Sequence, residues 1–301
     1  DAGTSDTTYT LSTGGAGAVS VIQAGNNLLV DAITTTGTVT LSGAAAVLDA
    51  NSDTTTNIST TGAVSVTAGT SIGATGAGAL DIVTATDVTL DANDDVAVRG
   101  SNQTLTALSL TVDASGAAVY ELTNFANLTE TLTTDGTDLT VTALDATGGA
   151  DLTLINDTGN VTVTSFDTTG AGTLSVTASS GNVVLANGAI VTGSGAVSVD
   201  ASGTIDESTD GTTTNIQTTG GLTLTSGGAI GANVDANGHL DVDVGSVTLT
   251  SSGGTDVSLR DAGTSDTTYT LSTGGAGAVS VIQAGNNLLV DAITTTGTVT
   301  L

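Results

Sequence analysis

The sequence predicts an all-β chain folded as a parallel β-helix, a β-solenoid with about 22 residues per turn and roughly eleven turns per 260-residue repeat. Three observations support this prediction. Residues 1–41 recur letter for letter as residues 261–301. Short segments that alternate apolar and small polar residues recur along the chain, and between residues 139 and 204 they recur every 22 residues. A sequence that restarts without a break is typical of proteins whose fold passes from copy to copy along one axis.

The repeat also predicts the domain organisation. Residues 1–260 form one full unit of a continuous solenoid, and residues 261–301 begin the next identical unit. We therefore expect a window onto a tandem array, in which neighbouring copies pair end to end. A weaker similarity between residues 54–74 and residues 212–232 indicates that the unit itself arose by duplication.

Composition favours a narrow aliphatic core. Hydrophobic residues make up 38% of the chain and aromatic residues 2%, with no Pro, Cys, Met or Trp. Regularly spaced apolar residues at this level argue against disorder. The lack of cysteine excludes disulfides, thiol chemistry and thiolate metal ligands.

Charge is the second strong signal. Residues 1–260 contain 27 acidic and two basic residues, a net charge of −25. If the unit is about 50 Å long, this is roughly one charge per 2 Å, close to the density of duplex DNA. Such a chain should repel nucleic acid and anionic membranes and attract divalent cations. We find no apolar run of the roughly 18 residues that a membrane helix needs, and no leader at residue 1. We therefore expect no membrane insertion in this segment and any secretion signal outside it.

The strands follow from alternation with a period of two. In segments such as VSV and VTL, this period places Val, Leu or Ile on one face and Thr or Ser on the other. Aligning the 22-residue stretches predicts three inward columns, headed by Leu139, Leu144 and Leu152. The predicted strand starts, one per turn, are Val19, Val39, Val64, Val88, Leu108, Leu139, Val161, Val183, Ile205, Ile230 and Val257.

A string of β-sandwich domains is the alternative fold, because it also contains many short strands. Sandwich domains would repeat at about 100 residues and usually bury a large aromatic residue. This chain repeats at 22 and at 260 residues.

Degenerate turns of the form Gly-x-Val-x-Leu-x-Ala begin at Gly37, Gly62 and Gly220, as GTVTLSG, GAVSVTAG and GGLTLTSG. With these motifs, the chain resembles the filamentous-haemagglutinin-like and giant tandem-repeat surface adhesins of bacteria along essentially its whole length. The resemblance implies a right-handed parallel β-helix exported to the bacterial cell surface. These residues do not include the secretion domain of that family, so the resemblance leaves the export route open.

Calcium is the one cofactor that the sequence suggests, and the predicted fold requires none. Two runs, DANSD and DANDD, place oxygen ligands at alternate positions, as calcium loops begin. Neither run continues with the Gly and Glu of an EF-hand. The other interpretation is that each Asp bonds to its own backbone and shapes a turn. The candidate ligands are Asp49, Asn51, Asp53, Asp91, Asn93 and Asp95.

The remaining polar candidates favour architecture over catalysis. Arg99 and Arg260 occupy equivalent places after apolar-x-apolar strands, and we expect them to neutralise nearby carboxylates; a catalytic arginine is the alternative. His239 follows Asn-Gly and is predicted to be an exposed turn residue. The three carboxylates between residues 206 and 210 are predicted to form a charged turn, although paired carboxylates can also hydrolyse glycosides. The Asp residues suggested as arginine partners are Asp94, Asp95 and Asp256. The carboxylates of the predicted charged turn are Asp206, Glu207 and Asp210.

The sequence therefore predicts a non-catalytic structural repeat of a secreted, long, stiff, acidic extracellular filament or adhesin stalk. Its expected partners are neighbouring copies of the same repeat end to end, with other cells, surfaces or polysaccharide as further candidates. Two other classes stay open. One is a β-helical carbohydrate-active enzyme, and the other is an ice- or surface-binding solenoid that uses outward threonines.

Overall fold

A computed structural model of the chain describes residues 1–74, 76–84, 88–101, 110–114, 118–125, 128–134, 138–146, 150–168, 170–209, 211–231 and 238–301. The predicted strand start at Leu108 lies outside these residues. Among the described residues the structure is almost entirely β, and the helical segment is one 3-10 turn at Gly76–Gly78. No helix in the described ranges is long and apolar enough to cross a membrane.

The strands belong to two compact units, residues 1–147 and 148–301. The first unit contains fourteen of the described strands. They are β1 (Thr7–Ser12), β2 (Val19–Gln23), β3 (Leu28–Thr34), β4 (Val39–Gly43), β5 (Val47–Asp49), β6 (Ile58–Ser59), β7 (Val64–Ala68), β8 (Leu80–Val83), β9 (Val88–Ala92), β10 (Val96–Ser101), β11 (Leu110–Ala114), β12 (Ala118–Phe125), β13 (Leu128–Thr134) and β14 (Asp138–Ala146).

The second unit contains fifteen of the described strands. They are β15 (Ala150–Asn156), β16 (Asn160–Val163), β17 (Phe166–Thr168), β18 (Leu174–Ala178), β19 (Val183–Leu185), β20 (Ile190–Val191), β21 (Val197–Ala201), β22 (Ile205–Glu207), β23 (Ile216–Ser226), β24 (Leu240–Ser251), β25 (Val257–Asp261), β26 (Thr267–Thr273), β27 (Val279–Gln283), β28 (Leu288–Thr294) and β29 (Val299–Thr300).

Strands in both units pair in parallel with strands one turn away. In the first unit β2, β4, β7 and β9 form one such stack. In the second unit β15, β18, β21 and β23 form another. Each unit is thus a parallel β-solenoid, and the chain makes about eleven turns. The β-sandwich alternative is wrong, because sandwich sheets are antiparallel.

The 22-residue alignment correctly predicts the register. Leu152 pairs with Leu174, Val161 pairs with Val183, and all four side chains are buried. The Phe166–Ile190 pair forms a further inward column. Aliphatic side chains predominate in these columns, as composition predicts, and Phe166 adds one aromatic ring. The turns from Ile205 to Val257 are longer, since Ile205 and Ile230, and then Ile230 and Val257, are linked by single parallel bridges.

A recurrent Thr-x-Gly corner locks successive turns together. The Thr218 hydroxyl accepts a hydrogen bond from Gly220 N (3.0 Å) and donates one to the carbonyl of Gly195, one turn earlier (2.6 Å). Thr35 makes the same two bonds in the first unit, with distances of 3.0 and 2.8 Å. The corner requires glycine, since a Cβ on Gly195 would lie 1.2 Å from the oxygen of Gly172. Steric exclusion of a Cβ therefore explains why glycine recurs at this corner in successive turns.

Candidate functional site: the junction between copies

The junction between the first copy and the second lies inside a strand. Arg260 ends the first copy, Asp261 begins the second, and both belong to β25. This strand pairs in parallel with β24 before it and β27 after it. The hydrogen-bonded ladder therefore crosses the junction without a break, and no separate linker is needed to join the copies there.

The repeated 41 residues occur in two environments, which isolates the effect of stacking. Val30 is 0% exposed beneath β5, whereas Val290, its counterpart, is 45% exposed. At the other edge Asp1 is exposed, whereas its counterpart Asp261 is completely buried. Because the sequences are identical, the neighbouring turn alone accounts for the difference. An added turn would bury the same apolar side chains that are already buried in the first unit.

A buried polar network lies just after the junction. The Tyr269 hydroxyl donates to the Asp261 carboxylate (3.0 Å) and lies 3.1 Å from Oε1 of Gln283. Asp261 also accepts a hydrogen bond from Gly263 N (2.8 Å), which closes a tight turn. Burial raises the pKa of the Tyr269 phenol, and the adjacent Asp261 carboxylate raises it further. This phenol therefore stays protonated as a hydrogen-bond donor.

Arg260 forms a bidentate ion pair with Asp241. Nε and Nη2 of Arg260 each lie 2.5 Å from a different oxygen of Asp241, which is 0% exposed. Burial raises the pKa of the Asp241 carboxyl, and the Arg260 guanidinium and then the His239 charge oppose that shift. His239 is half-buried, and its Nδ1 hydrogen-bonds to the Ser258 hydroxyl. His239 lies in a bend, in agreement with the predicted turn, but the predicted exposure is wrong.

Arg99 makes the equivalent contact in the first unit. Its Nη1 lies 3.0 Å from Asp81 Oδ2, and its side chain is 10% exposed. The prediction that each arginine neutralises a carboxylate is confirmed, but Asp81 and Asp241 were not among the predicted partners. They lie 18 and 19 residues before their arginines, one turn away in the stack. Of the predicted partners, Asp256 instead accepts a hydrogen bond from Ala278 N (2.8 Å).

The first calcium candidate forms a turn that uses its own carboxylate oxygens. Asp49 Oδ1 accepts from Asn51 N (3.0 Å) and Asn57 Nδ2 (2.8 Å), and Asp49 Oδ2 accepts from Asp53 N (2.8 Å). Asn51 Nδ2 donates to Asp31 instead of facing Asp49 (2.7 Å). The backbone and amide donors already satisfy Asp49, so turn formation is sufficient to explain this run.

The second candidate run is exposed at Asp91, Asn93 and Asp95. Asn93 Nδ2 donates to the Gly69 carbonyl one turn earlier (3.2 Å). Within the described ranges, no three acidic or histidine side chains gather into a group that could hold a metal. Calcium binding at either run stays a prediction.

The two described members of the predicted carboxylate group, Asp206 and Glu207, do not face one substrate. Asp206 and Glu207 are consecutive in β22, with Glu207 buried and Asp206 half-exposed. Consecutive strand residues point to opposite faces. Asp210, the third predicted member, lies outside the described residues. A glycosidase pair needs two carboxylates that face one bound sugar and flank its scissile bond.

Outward polar side chains form a shallow groove in the second unit, with a volume of about 370 Å³. Asp167, Gln217 and Asp243 lie along one column, with Val191 between the first two. Gln217 Nε2 donates to Asp243 (3.2 Å). Asp167 and Asp243 are three turns apart, which corresponds to about 14 Å between their backbones. The groove offers hydrogen-bonding groups but no close carboxylate pair.

Two buried asparagines were missed by the sequence analysis. Asn57 Oδ1 accepts from Asp81 N (2.8 Å), and Asn215 Oδ1 accepts from Asp241 N (2.9 Å). Both follow the same Thr-Thr-Thr sequence, so the internal duplication contained the signal. The missing step was to extend that similarity to the Leu-Asp pairs at residues 80–81 and 240–241.

No family profile, curated protein or solved structure matches the chain.

Proposed function

We propose that the chain is a structural repeat of a long, stiff, acidic extracellular filament or adhesin stalk on a bacterial surface. In this proposal successive copies stack end to end and no reaction is catalysed. The coarser property, a parallel β-solenoid that suits a structural repeat, is a feature of the fold itself. The filament, its export and its bacterial origin belong to the proposal.

The observation that carries the proposal is the passage of β25 through the junction between Arg260 and Asp261. The difference between buried Val30 and exposed Val290 supports it, because each further turn would bury apolar surface. Burial of one Val or Leu side chain stabilises by about 1.5–3 kcal/mol. An array can therefore lengthen with a repeated favourable increment and with no new type of contact.

The negative charge of the chain favours single, solvated fibres over bundles of fibres. The net charge of −25 per 260 residues gives neighbouring fibres a strong mutual repulsion. At physiological salt this repulsion is screened over about 8 Å, so it opposes side-by-side contact while leaving the internal ladder intact.

The test is electron microscopy of chains with one, two and three copies of the 260-residue unit. Continuous stacking predicts that contour length rises by about 50 Å per copy, from roughly eleven turns at about 4.8 Å. A matched control inserts a flexible Gly/Ser linker between Arg260 and Asp261, which should give beads joined by gaps. Beads in the uninterrupted chains would contradict the proposal.

The extracellular location requires its own test. An antibody raised against the 260-residue unit should label intact source cells without permeabilisation. Labelling only after permeabilisation would place the protein inside the cell and contradict the adhesin part of the proposal.

A surface-binding role is a second candidate, favoured by an outward array of hydroxyl side chains in the second unit. Paired strands place Ser198, Thr223 and Thr248 in one column, with Asp200, Thr225 and Thr250 in the next. The hydroxyls recur at about 4.8 Å along a column and about 6.6 Å across columns. Such a regular grid matches an ordered lattice, such as ice, better than a flexible ligand.

Thermal hysteresis measures this second candidate. Wild-type protein should slow ice growth, and Thr248→Tyr should abolish the effect by projecting a bulky ring from the grid. Thr213→Tyr, at an exposed position outside the grid, should leave it unchanged. A wild-type chain without hysteresis would exclude ice as the ligand.

A further inference from the structure

In each unit the described residues include a buried chain of polar contacts that crosses successive turns, which we call the Asn–Asp–Arg relay. In the first unit it comprises Asn57, Asp81 and Arg99, and in the second unit Asn215, Asp241 and Arg260. The members of each relay occupy successive turns of the solenoid. All but Arg260 are buried side chains, and Arg260 is 16% exposed.

The relay of the second unit spans four turns. Asn215 Nδ2 donates to the Ala186 carbonyl one turn earlier (3.2 Å), and Asn215 Oδ1 accepts from Asp241 N (2.9 Å). The Asp241 carboxylate then receives both donors of Arg260. Asp241 and Arg260 are registered partners of β24 and β25, so the relay follows the strand pairing.

The relay of the first unit repeats these contacts. Asn57 Nδ2 donates to the Val30 carbonyl (2.9 Å), and Asn57 Oδ1 accepts from Asp81 N (2.8 Å). Asp81 and Arg99 are registered partners of β8 and β10. The same chemistry thus recurs at equivalent places in a duplicated sequence.

The apolar pattern of this chain does not fix the register by itself. A slip of one residue would turn apolar side chains outward, but a slip of two residues keeps them inward. Around β24 and β25 the inward apolar residues are Leu240, Val242, Val257 and Leu259, which are nearly interchangeable aliphatics. One further inward residue of β25, Asp261, is polar and is the registered partner of Val242. A two-residue slip would therefore bury almost the same apolar surface.

The relay responds to such a slip differently. If β25 moved by two residues along β24, Asp241 would face Ser258 or Ala262 instead of Arg260. The carboxylate, which is 0% exposed, would lose its charged partner. A buried charge without a partner is strongly destabilising, whereas a complete buried pair adds little stability over apolar residues of similar volume.

We propose that each relay is a register device: it selects one alignment of successive turns against the two-residue slip that the aliphatic columns tolerate. The relay thus makes the alignment of stacked turns specific, which is a property that goes beyond the proposed filament role. A register error in one copy would be passed to every turn above it. With one such relay in each compact unit, the alignment is restored before such an error can accumulate.

The test replaces the pair by apolar residues in the 301-residue chain, as Asp241→Leu with Arg260→Met. His239 is the only histidine in the chain, and it contacts Ser258 of β25 beside the relay. Its ring signals in NMR therefore report the register of this strand pair. Wild type should give one set of ring signals, and the double variant should give at least two sets with a melting temperature at or above that of wild type.

The readout is the number of signal sets, since loss of two charges will shift any histidine signal. The control is Leu240→Met with Leu259→Met, a volume-conserving change at the adjacent registered pair, which should keep one set. The unaltered relay provides a second control, because the Nε–H signal of Arg99 should stay single.

Three results would overturn the proposal. A single set of His239 signals in the double variant would show that the aliphatic columns suffice. Multiple sets in the methionine control would assign the effect to packing. Loss of the β-sheet circular dichroism signal in the double variant would show that the ion pair supplies stability instead of specificity. None of these results bears on the contour-length test, so the two proposals fail separately.

Discussion

Leu224→Asp should break the stack where Thr223→Asp does not, although both substitutions add one negative charge to β23. Leu224 is 0% exposed and lies between the inward residues Val199 and Leu249 of the neighbouring turns. Removing it loses about 2–3 kcal/mol of apolar burial. A carboxyl group in its place, with no hydrogen-bond partner, costs about 1–3 kcal/mol more.

We therefore expect Leu224→Asp to lower the free energy of unfolding by about 3–6 kcal/mol. Thr223 is exposed on the other face of the same strand, so its replacement by Asp should cost under about 1 kcal/mol, the range of β-propensities. Urea titration followed by circular dichroism measures both values. Equal midpoints for the two variants would refute the inward assignment of Leu224.

Hydrogen exchange gives the spatial extent of the effect. Each turn contacts only its neighbours, so the loss of protection in Leu224→Asp should be largest in β21, β23 and β24. Protection lost evenly over both units would contradict the nearest-neighbour description.

Three further predictions concern the buried tyrosine hydroxyls and the Thr-x-Gly corner. Tyr120→Phe should leave stability unchanged or raise it, because the buried Tyr120 hydroxyl has no hydrogen-bond partner among the described residues. In contrast, Tyr269→Phe should cost about 1.5–3 kcal/mol by removing the bond to Asp261. Burial raises the pKa of both phenols, so their contribution is complete below the unfolded pKa of about 10 and is lost as pH rises above it. Melting temperatures at pH 9 and pH 11 should show this loss, and a flat profile would contradict it. Gly195→Ala should lower the melting temperature, while Gly15→Ala, with open space around it, should not, and equal melts would contradict the corner geometry.

The fold could be predicted from sequence because its strongest signal is local. Alternation of Val with Ser or Thr sets the inward face of β2 and β4 without knowledge of any other strand. The spacing of 22 residues then predicts which strands pair, as Leu152 and Leu174 illustrate. Both signals survive in a single sequence because each turn repeats them.

The partners of the two arginines could not be predicted in the same way. Asp81 precedes Arg99 by 18 residues, and only the register of two short strands brings them together. Similar local sequences also differ in burial: Asp49 in DANSD is buried, whereas Asp91 in DANDD is exposed. The phase of the strand decides this difference, since Asp49 takes the inward position two residues after Val47, whereas Asp91 takes the outward position next to inward Leu90. The sequence does not reveal the phase of β5, because both residues before Asp49 are apolar.

The position of the junction between copies, inside β25, has a genetic consequence. Recombination between the coding segments of such repeats would delete or add whole copies. Because each copy begins and ends within the same strand, such an event restores every donor and acceptor at the new boundary. The length of the product can therefore change between generations without passing through a misfolded ancestor.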